Sequence, residues 1–179
     1  MLAYNVAGLL GSSPGSDRRY AVVDATVELP DGLRLTSPIS GSVHLRRTDR
    51  SVLADAILHT SLAGTCSRCL RPLVTEVDFT VSEEALPTID LTSGLPLDTS
   101  EEPDAFRIDE HHVLDLEGPV RDAISMAEPI APLCRPDCPG LCAECGADLT
   151  DNPGHVHPSA GTDPRLAVLA GWHESPSQT

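Results

Sequence analysis

Residues 73–81 read LVTEVDFTV, and their alternation decides the fold class: Leu73, Thr75, Val77, Phe79 and Val81 share one face, while Val74, Glu76, Asp78 and Thr80 share the other. A period of two places successive side chains on opposite sides of a pleated strand, so one face meets a core and the other is largely wet. Upstream lie YAVVDATVEL from Tyr20, then GLRLTSPISGSVHLRRT and SVLADAILHTSLAGT, each bounded by Gly, Pro, Asp or Ser. Together they read as an antiparallel meander. Residues 51–65 carry the Ala and Leu of a helix as well, but their β-branched residues and the Cys-x-x-Cys turn that follows favour a strand.

Downstream, Gly118-Pro119 opens a helix expected to run to Glu128. Pro suits the first helical position, and Leu116, Val120, Ala123, Ile124 and Ala127 recur on one stripe before Pro129 stops it. A second short helix is expected from Pro164 to Ala170, with Asp163 as N-cap and Gly171 just past its end, and the closing HESPSQT is expected to fray. At the other terminus, GSSPGSDRR marks residues 1–19 as a flexible lead. The β-rich domain is expected over 20–130, with a Cys/His segment, the short helix and the frayed tail over 131–179.

The 179 residues suffice for a sizeable core, but aromatics are only 3%, so that core must rest on Val, Leu, Ile and Ala. An aromatic base-stacking platform for RNA is excluded on the same ground. No apolar run approaches the roughly 20 residues that span a bilayer, and the start lacks the basic segment and cleavage site of a secretory signal, so a cytoplasmic protein without membrane contact is expected. The net charge of −15 repels a bare phosphate backbone at long range, which makes RNA contact weak on its own. Between Glu83 and Glu117, eleven acids face one base, Arg107, and Pro and Gly recur. This acidic insert, 83–117, reads as a solvated loop or locally disordered stretch, with a binding strip for a basic protein as the functional alternative. By contrast, Arg46, Arg47, Arg50, Arg68 and Arg71 face only Asp49 and Asp55 over residues 41–75 and form a candidate RNA or partner contact.

Cysteine carries the chemistry. Cys134, Cys138, Cys142 and Cys145 form a C-x3-C-x3-C-x2-C array, and His155-x-His157 follows after nine residues. Zinc takes four S or N donors in a tetrahedron, and a Cys-x-x-Cys turn followed by Gly, as in Cys142-Ala143-Glu144-Cys145-Gly146, lets two thiolates converge on one ion. The segment is polar and rich in turn residues, so ligation would supply cohesion that packing cannot. Three single-site groupings fit: the four clustered cysteines; Cys142 and Cys145 with His155 and His157; or Cys66 and Cys69 with Cys142 and Cys145. The first is preferred, because a short loop closes at less entropic cost; Cys66 and Cys69 are separated from Cys134 by 64 residues. Two sites sharing all eight residues also satisfy the arithmetic. The expected fold is therefore α+β: a mainly antiparallel β-sheet with two short helices and a zinc-stabilised Cys-rich C-terminal segment.

Rival chemistries find less support. A dithiol redox centre usually draws on a helix N-terminus, which is not expected at Cys66, and a catalytic zinc needs an open position and a base, for which Glu144 is the sole nearby acid. No catalytic residue stands out.

Taken in order, Cys66-Ser67-Arg68-Cys69-Leu70 after a β-like region, the acidic middle, LCRPDCPGLCAECG over 133–146 with Ala147-Asp148-Leu149, and DPRLAVL over 163–169 resemble the YceD family of large ribosomal RNA subunit accumulation proteins. The resemblance implies a role in synthesis, processing or stability of large-subunit ribosomal RNA, no established enzymatic activity, and a gene beside that of a small basic ribosomal protein. Cys66 and Cys69 match the family's first motif, and Cys134, Cys138, Cys142 and Cys145 its second, which some members lack. Other members end the second motif with Cys-x-Cys where this chain has His155-Val156-His157, an exchange that keeps zinc-ligand chemistry. The expected function is a noncatalytic, zinc-binding ribosome-biogenesis factor that meets a large-subunit precursor or a small basic ribosomal protein; the alternative is a thiol redox sensor or zinc-gated chaperone.

Overall fold

The computed structural model describes residues 2–30, 32–98, 100, 102–157, 165, 166 and 169. In chain order the elements are β1 (Ala3–Asn5), α1 (Ala7–Leu10), β2 (Asp17–Ala25), β3 (Arg34–Arg47), β4 (Val52–Thr65), β5 (Pro72–Pro87), β6 (Arg107–Ile108), β7 (Val113–Asp115) and α2 (Glu117–Ala127). Strands β2 to β5 pair antiparallel with their sequence neighbours, and β6 adds in parallel at the end of β5 through Leu86 and Pro87. The chain divides into two compact units, one ending at Cys138 and one beginning at Pro139.

The alternation seen in the sequence sets the burial. On β5, Val77, Phe79 and Val81 are buried and Leu73 and Thr75 half-buried, while Val74, Glu76, Asp78 and Thr80 face solvent. On β4 the buried set is Val52, Ala54, Ala56, Leu58, Thr60 and Leu62, an uninterrupted period of two that settles residues 52–65 as strand. Thr60 is tolerated in the core because its hydroxyl donates to the Ser37 carbonyl at 2.9 Å. The sheet buries one face, as an antiparallel sheet commonly does. Across that face, α2 lays Val120 and Ile124, and Leu114, Leu116 and Ile108 fill the rest. Helix α2 starts within one residue of expectation. The Asp115 carboxylate accepts from the Glu117 N–H at 2.9 Å, Arg121 pairs with Glu117 one turn earlier, and Pro129 ends the run.

The expected flexible lead over 1–19 is corrected. Leu2, Val6, Leu9 and Leu10 are buried in the main core, and β1 pairs antiparallel with β7 in the register Ala3↔Asp115, Tyr4↔Leu114 and Asn5↔Val113. The Gly, Ser and Pro that suggested a lead occupy only the turn between α1 and β2. The acidic insert is likewise more ordered than expected: within 83–117 it completes β5, supplies β6 and β7, and forms a turn around Asp90, whose carboxylate accepts from Ser93 and Thr92 N–H groups. Residues 131–138 group with the sheet unit rather than with the tail. The helix expected over 164–170 and the fraying tail lie outside the described residues, apart from Arg165, Leu166 and Leu169.

One glycine fixes how closely β3 and β4 approach. Gly41 has φ +146°, and a Cβ built there would lie 2.2 Å from the Ile57 carbonyl oxygen of the neighbouring strand. Backbone cannot yield as a side-chain tip can. Gly41→Ala is expected to cost about 2–4 kcal/mol, whereas Gly15→Ala, at φ +88° in open space, costs only about 1–2 kcal/mol from its backbone conformation. Thermal unfolding of the two variants side by side checks the difference.

Candidate metal centres

The core face of β4 does not stop at Thr65, because Cys66 next in line is fully buried. From there the chain turns back into β5 through a tight knuckle. The Cys66 N–H donates to the Arg71 carbonyl and the Leu70 N–H to the Cys66 carbonyl, both at 2.9 Å, and Leu70 adopts the left-handed conformation at φ +58°. The segment after α2 then returns to this tip. The Ser67 N–H donates to the Pro132 carbonyl at 2.8 Å, and the Arg68 guanidinium to the Cys138 carbonyl at 2.9 Å. As a result Cys134 and Cys138 face Cys66 and Cys69.

The four sulfurs all lie within 4.8 Å of one another, with Cys66–Cys138 at 3.8 Å and Cys69–Cys134 at 3.7 Å. A disulfide would need about 2.05 Å. A tetrahedral site with metal–sulfur bonds of about 2.3 Å has edges of about 3.8 Å, which the cluster meets. Cys66, Cys69 and Cys138 are buried beside Leu73 and Leu133, and only Cys134 reaches solvent.

The thiols divide in acidity. Cys66 is lowered to about 6, first by the Cys69 N–H aimed at its sulfur, then by that of Cys134, against the opposing effect of burial. Cys134 is raised to about 12, first by its contact with the Cys138 sulfur, then by burial and by Cys69. Four sulfurs this close cannot all carry charge side by side, since each thiolate disfavours the next. A divalent cation at their centre removes that conflict.

A second cluster lies wholly within the unit that begins at Pro139, and it uses the same turn. The Cys142 N–H donates to the Ala147 carbonyl and the Gly146 N–H to the Cys142 carbonyl, both at 2.8 Å, with Gly146 at φ +73° where the first knuckle has Leu70. Cys142 is lowered to about 6, chiefly by the Cys145 N–H and next by that of Glu144. A turn following Asp148 then brings the histidines back: the Asn152 N–H donates to the Asp148 carbonyl and the His155 N–H to the Asn152 carbonyl. The Nε2 atoms of His155 and His157 stand 3.1 and 3.3 Å from the Cys145 Sγ and 2.8 Å from each other. A Cys2His2 tetrahedron has S–N and N–N edges of about 3.3–3.6 Å, so this set fits an ion after opening by about half an ångström. On its far side, His157 Nδ1 lies 3.3 Å from Glu144 Oε2. A carboxylate there fixes the ring with Nε2 turned inward, the usual support of a metal-binding histidine.

All eight sequence candidates thus fall into two sets of four, and both can hold a metal ion. The preferred grouping of Cys134, Cys138, Cys142 and Cys145 is corrected, as is the ribbon of Cys66 and Cys69 with Cys142 and Cys145. The first two cysteines of the array go to the hairpin tip, because the α2 return has already closed the 64-residue gap, and the last two stay with the local histidines. Glu144, weighed as a catalytic base, instead orients His157. His111 and His112 belong to neither set.

The five arginines do not form one patch. Arg46, Arg47 and Arg50 flank the turn before β4, while Arg68 and Arg71 lie beyond its other end, about 40 Å away along a strand of 14 residues. Several have internal work: Arg46 pairs with Asp55 at 3.0 Å, Arg50 with Glu102 at 2.7 Å, and Arg47 donates to the Leu10 and Ser51 carbonyls.

Comparison with known proteins adds context to this geometry. Residues 54–171, which include all eight candidate ligands, match the family model of the large ribosomal RNA subunit accumulation protein YceD. The uncharacterized protein Rv2926c of Mycobacterium tuberculosis is 34% identical over 167 residues, covering 89% of this chain and 76% of its own length. An uncharacterized protein of Mycobacterium leprae is 34% identical over 122 residues, covering 68% of this chain and 54% of its own. No solved structure matches the chain.

Purified under reducing conditions, the chain is expected to carry two divalent ions, and Cys66→Ser and Cys142→Ser to lose one each, as read by elemental analysis and thiol titration. Glu144→Gln is expected to weaken the second site by about 10-fold or more and leave the first unchanged, measured by competition with a chromogenic chelator. Leu70→Gly relieves the left-handed strain of the first knuckle and is expected to raise stability by about 1 kcal/mol without changing metal content.

Proposed function

The chain belongs to the YceD family, and from that membership we propose that it is a noncatalytic ribosome-biogenesis factor supporting synthesis, processing or stability of large-subunit ribosomal RNA, with zinc as the ion in both of its Cys and Cys/His sites. The observation that carries the reading is the family match over residues 54–171, which contains the hairpin tip, the α2 return and both ligand sets. Zinc is favoured over other first-row metals by the chemistry of the donors: four thiolates in one set, and two thiolates with two imidazoles in the other, each tetrahedral in layout.

Both sites are read as structural. Each offers four protein donors, which fills a tetrahedral shell and leaves no position for an activated water or a substrate oxygen. The dithiol alternative is less well supported, since each Cys-x-x-Cys pair already faces two further donors that complete a metal site. Contact is assigned to a large-subunit assembly precursor, through a basic protein component rather than bare RNA, because the chain carries −15 and its arginines are dispersed and largely engaged internally. The site of action is the cytoplasm; no described helix is long and apolar enough to cross a membrane.

In cells depleted of the protein, mature large-subunit ribosomal RNA is expected to fall relative to small-subunit RNA, as quantified on total RNA. Re-expression of the natural chain restores the ratio, and the Cys66→Ser, Cys69→Ser double variant does so poorly. An unchanged ratio on depletion counts decisively against the reading.

A further inference from the structure

The two long edges of the main sheet are treated differently. At β2, the pairing register breaks between Val22 and Ala25, and Asp24 sits at φ +52°, an irregularity that twists an edge out of line. Strand β5 has no such guard. Its pairing with β4 runs unbroken from Pro72 to Ala85, and β6 covers only Leu86 and Pro87. Among the described residues, no backbone hydrogen bond reaches the outward side of Leu73–Ala85. Pro72 and Pro87 close the strand, and no proline lies between them to spoil further pairing.

A groove of about 520 Å³ follows this edge, lined by Thr80, Val81, Ser82 and Glu83 on one side and by Phe106, Pro119, Asp122 and Met126 among the residues opposite. Four consecutive strand residues can line one groove only if it runs along the strand's edge, because their side chains alternate between faces. Its apolar lining includes the half-buried Phe106 and Met126, which is 87% exposed. Its lining is acidic: Glu83 and Asp122 belong to it and no basic residue does, while Glu76 and Asp78, the latter paired with His59, lie further along β5 on its solvent face.

We propose that the open edge of β5 receives an extended, basic segment of a partner protein as an added strand, with one apolar side chain of that segment seated between Phe106 and Met126. Added strands bind through main-chain hydrogen bonds, and pockets for alternate side chains give the selectivity. The charge selects the occupant: an acidic rim on a chain of −15 attracts a basic peptide and repels both a second copy of itself and a nucleic acid. That the partner comes from ribosome assembly rests on the function proposed above; the edge itself does not.

The test uses the full, metal-loaded chain and an eight-residue peptide of alternating Arg and Val. Amide hydrogen exchange is followed with this peptide, with its copy N-methylated along the pairing edge, and with a Glu-Val counterpart. The Arg-Val peptide is expected to slow exchange within residues 73–85 about tenfold or more, while the other two have little effect. Asp122→Arg with Met126→Arg, at two exposed positions of α2, is expected to weaken binding about tenfold with the thermal midpoint unchanged. The proposal is overturned if the N-methylated peptide protects equally, if protection falls elsewhere or nowhere, or if the edge is already protected without peptide. Protection that grows with protein concentration alone, or that follows addition of polyuridylate RNA in place of the peptide, also overturns it. Because the peptide assay does not involve ribosomal RNA, its failure leaves the RNA ratio in depleted cells as an independent test of the biogenesis reading.

Discussion

Four sulfurs converging at the tip of the β4–β5 hairpin are the constraint on which the arrangement of the sheet unit's last segment depends. Residues 128–138 contribute little to the apolar core; within them, Leu133 packs against a small buried cluster formed by Cys66, Cys69 and their own Cys138. What holds the segment is a set of polar contacts to the tip, from Ser67 to Pro132 and from Arg68 to Cys138, together with the thiols themselves. Left as neutral thiols, such a cluster is a weak adhesive, and left as thiolates it repels itself. Ligation of a divalent ion would turn it into a clamp whose binding free energy is available to folding.

The two sites share a turn but differ in setting, and the difference follows from sequence distance. In the first, the ligand pairs come from the hairpin tip and from beyond α2, so its ligands are in place only once the sheet is built. In the second, all four ligands fall between Cys142 and His157, and one knuckle plus one turn after Asp148 brings them together. The first is largely buried and its knuckle tolerates Leu70 in a left-handed conformation, with neighbours fixing the chain on both sides. The second is more open to solvent and uses Gly146, which takes that conformation without a steric penalty.

What was legible in the sequence is what local periodicity encodes. The alternation of 73–81 gave a strand and its buried face, the β-branched residues of 51–65 and the turn after them gave a second strand, and Gly118-Pro119 with its stripe gave α2 to within a residue. The N-terminal residues escaped because β1 has three residues and α1 four, too few for either period to show, and their partner β7 lies more than a hundred residues away. The candidate ligands were legible from residue type and spacing, but how the fold groups them was not. Loop-closure entropy favours the nearest cysteines in an isolated chain; here the sheet and α2 have already met that cost, so the tip captures Cys134 and Cys138 from across 64 residues. The orienting role of Glu144 had a trace in the sequence, a carboxylate between two ligands, but the distance to His157 was needed to separate it from a general base.

Charge placement bears on how an acidic protein can serve ribosome assembly at all. The field felt by an approaching molecule is set by net charge and by which side chains remain unneutralised. Arg46 is offset by Asp55 and Arg50 by Glu102, while the guanidiniums of Arg47 and Arg68 are turned onto main-chain carbonyls. Along β5 and α2, Asp78 pairs with His59 and Glu117 with Arg121, but Glu83 and Asp122 line the groove beside the open edge with no basic residue among its lining, so negative charge is felt where the sheet presents unpaired backbone. Phosphate is therefore disfavoured where the chain is best prepared to form new hydrogen bonds. On the function proposed above, a basic protein segment would be attracted to that same place, and a protein-mediated route to the RNA would satisfy both the electrostatics and the open strand.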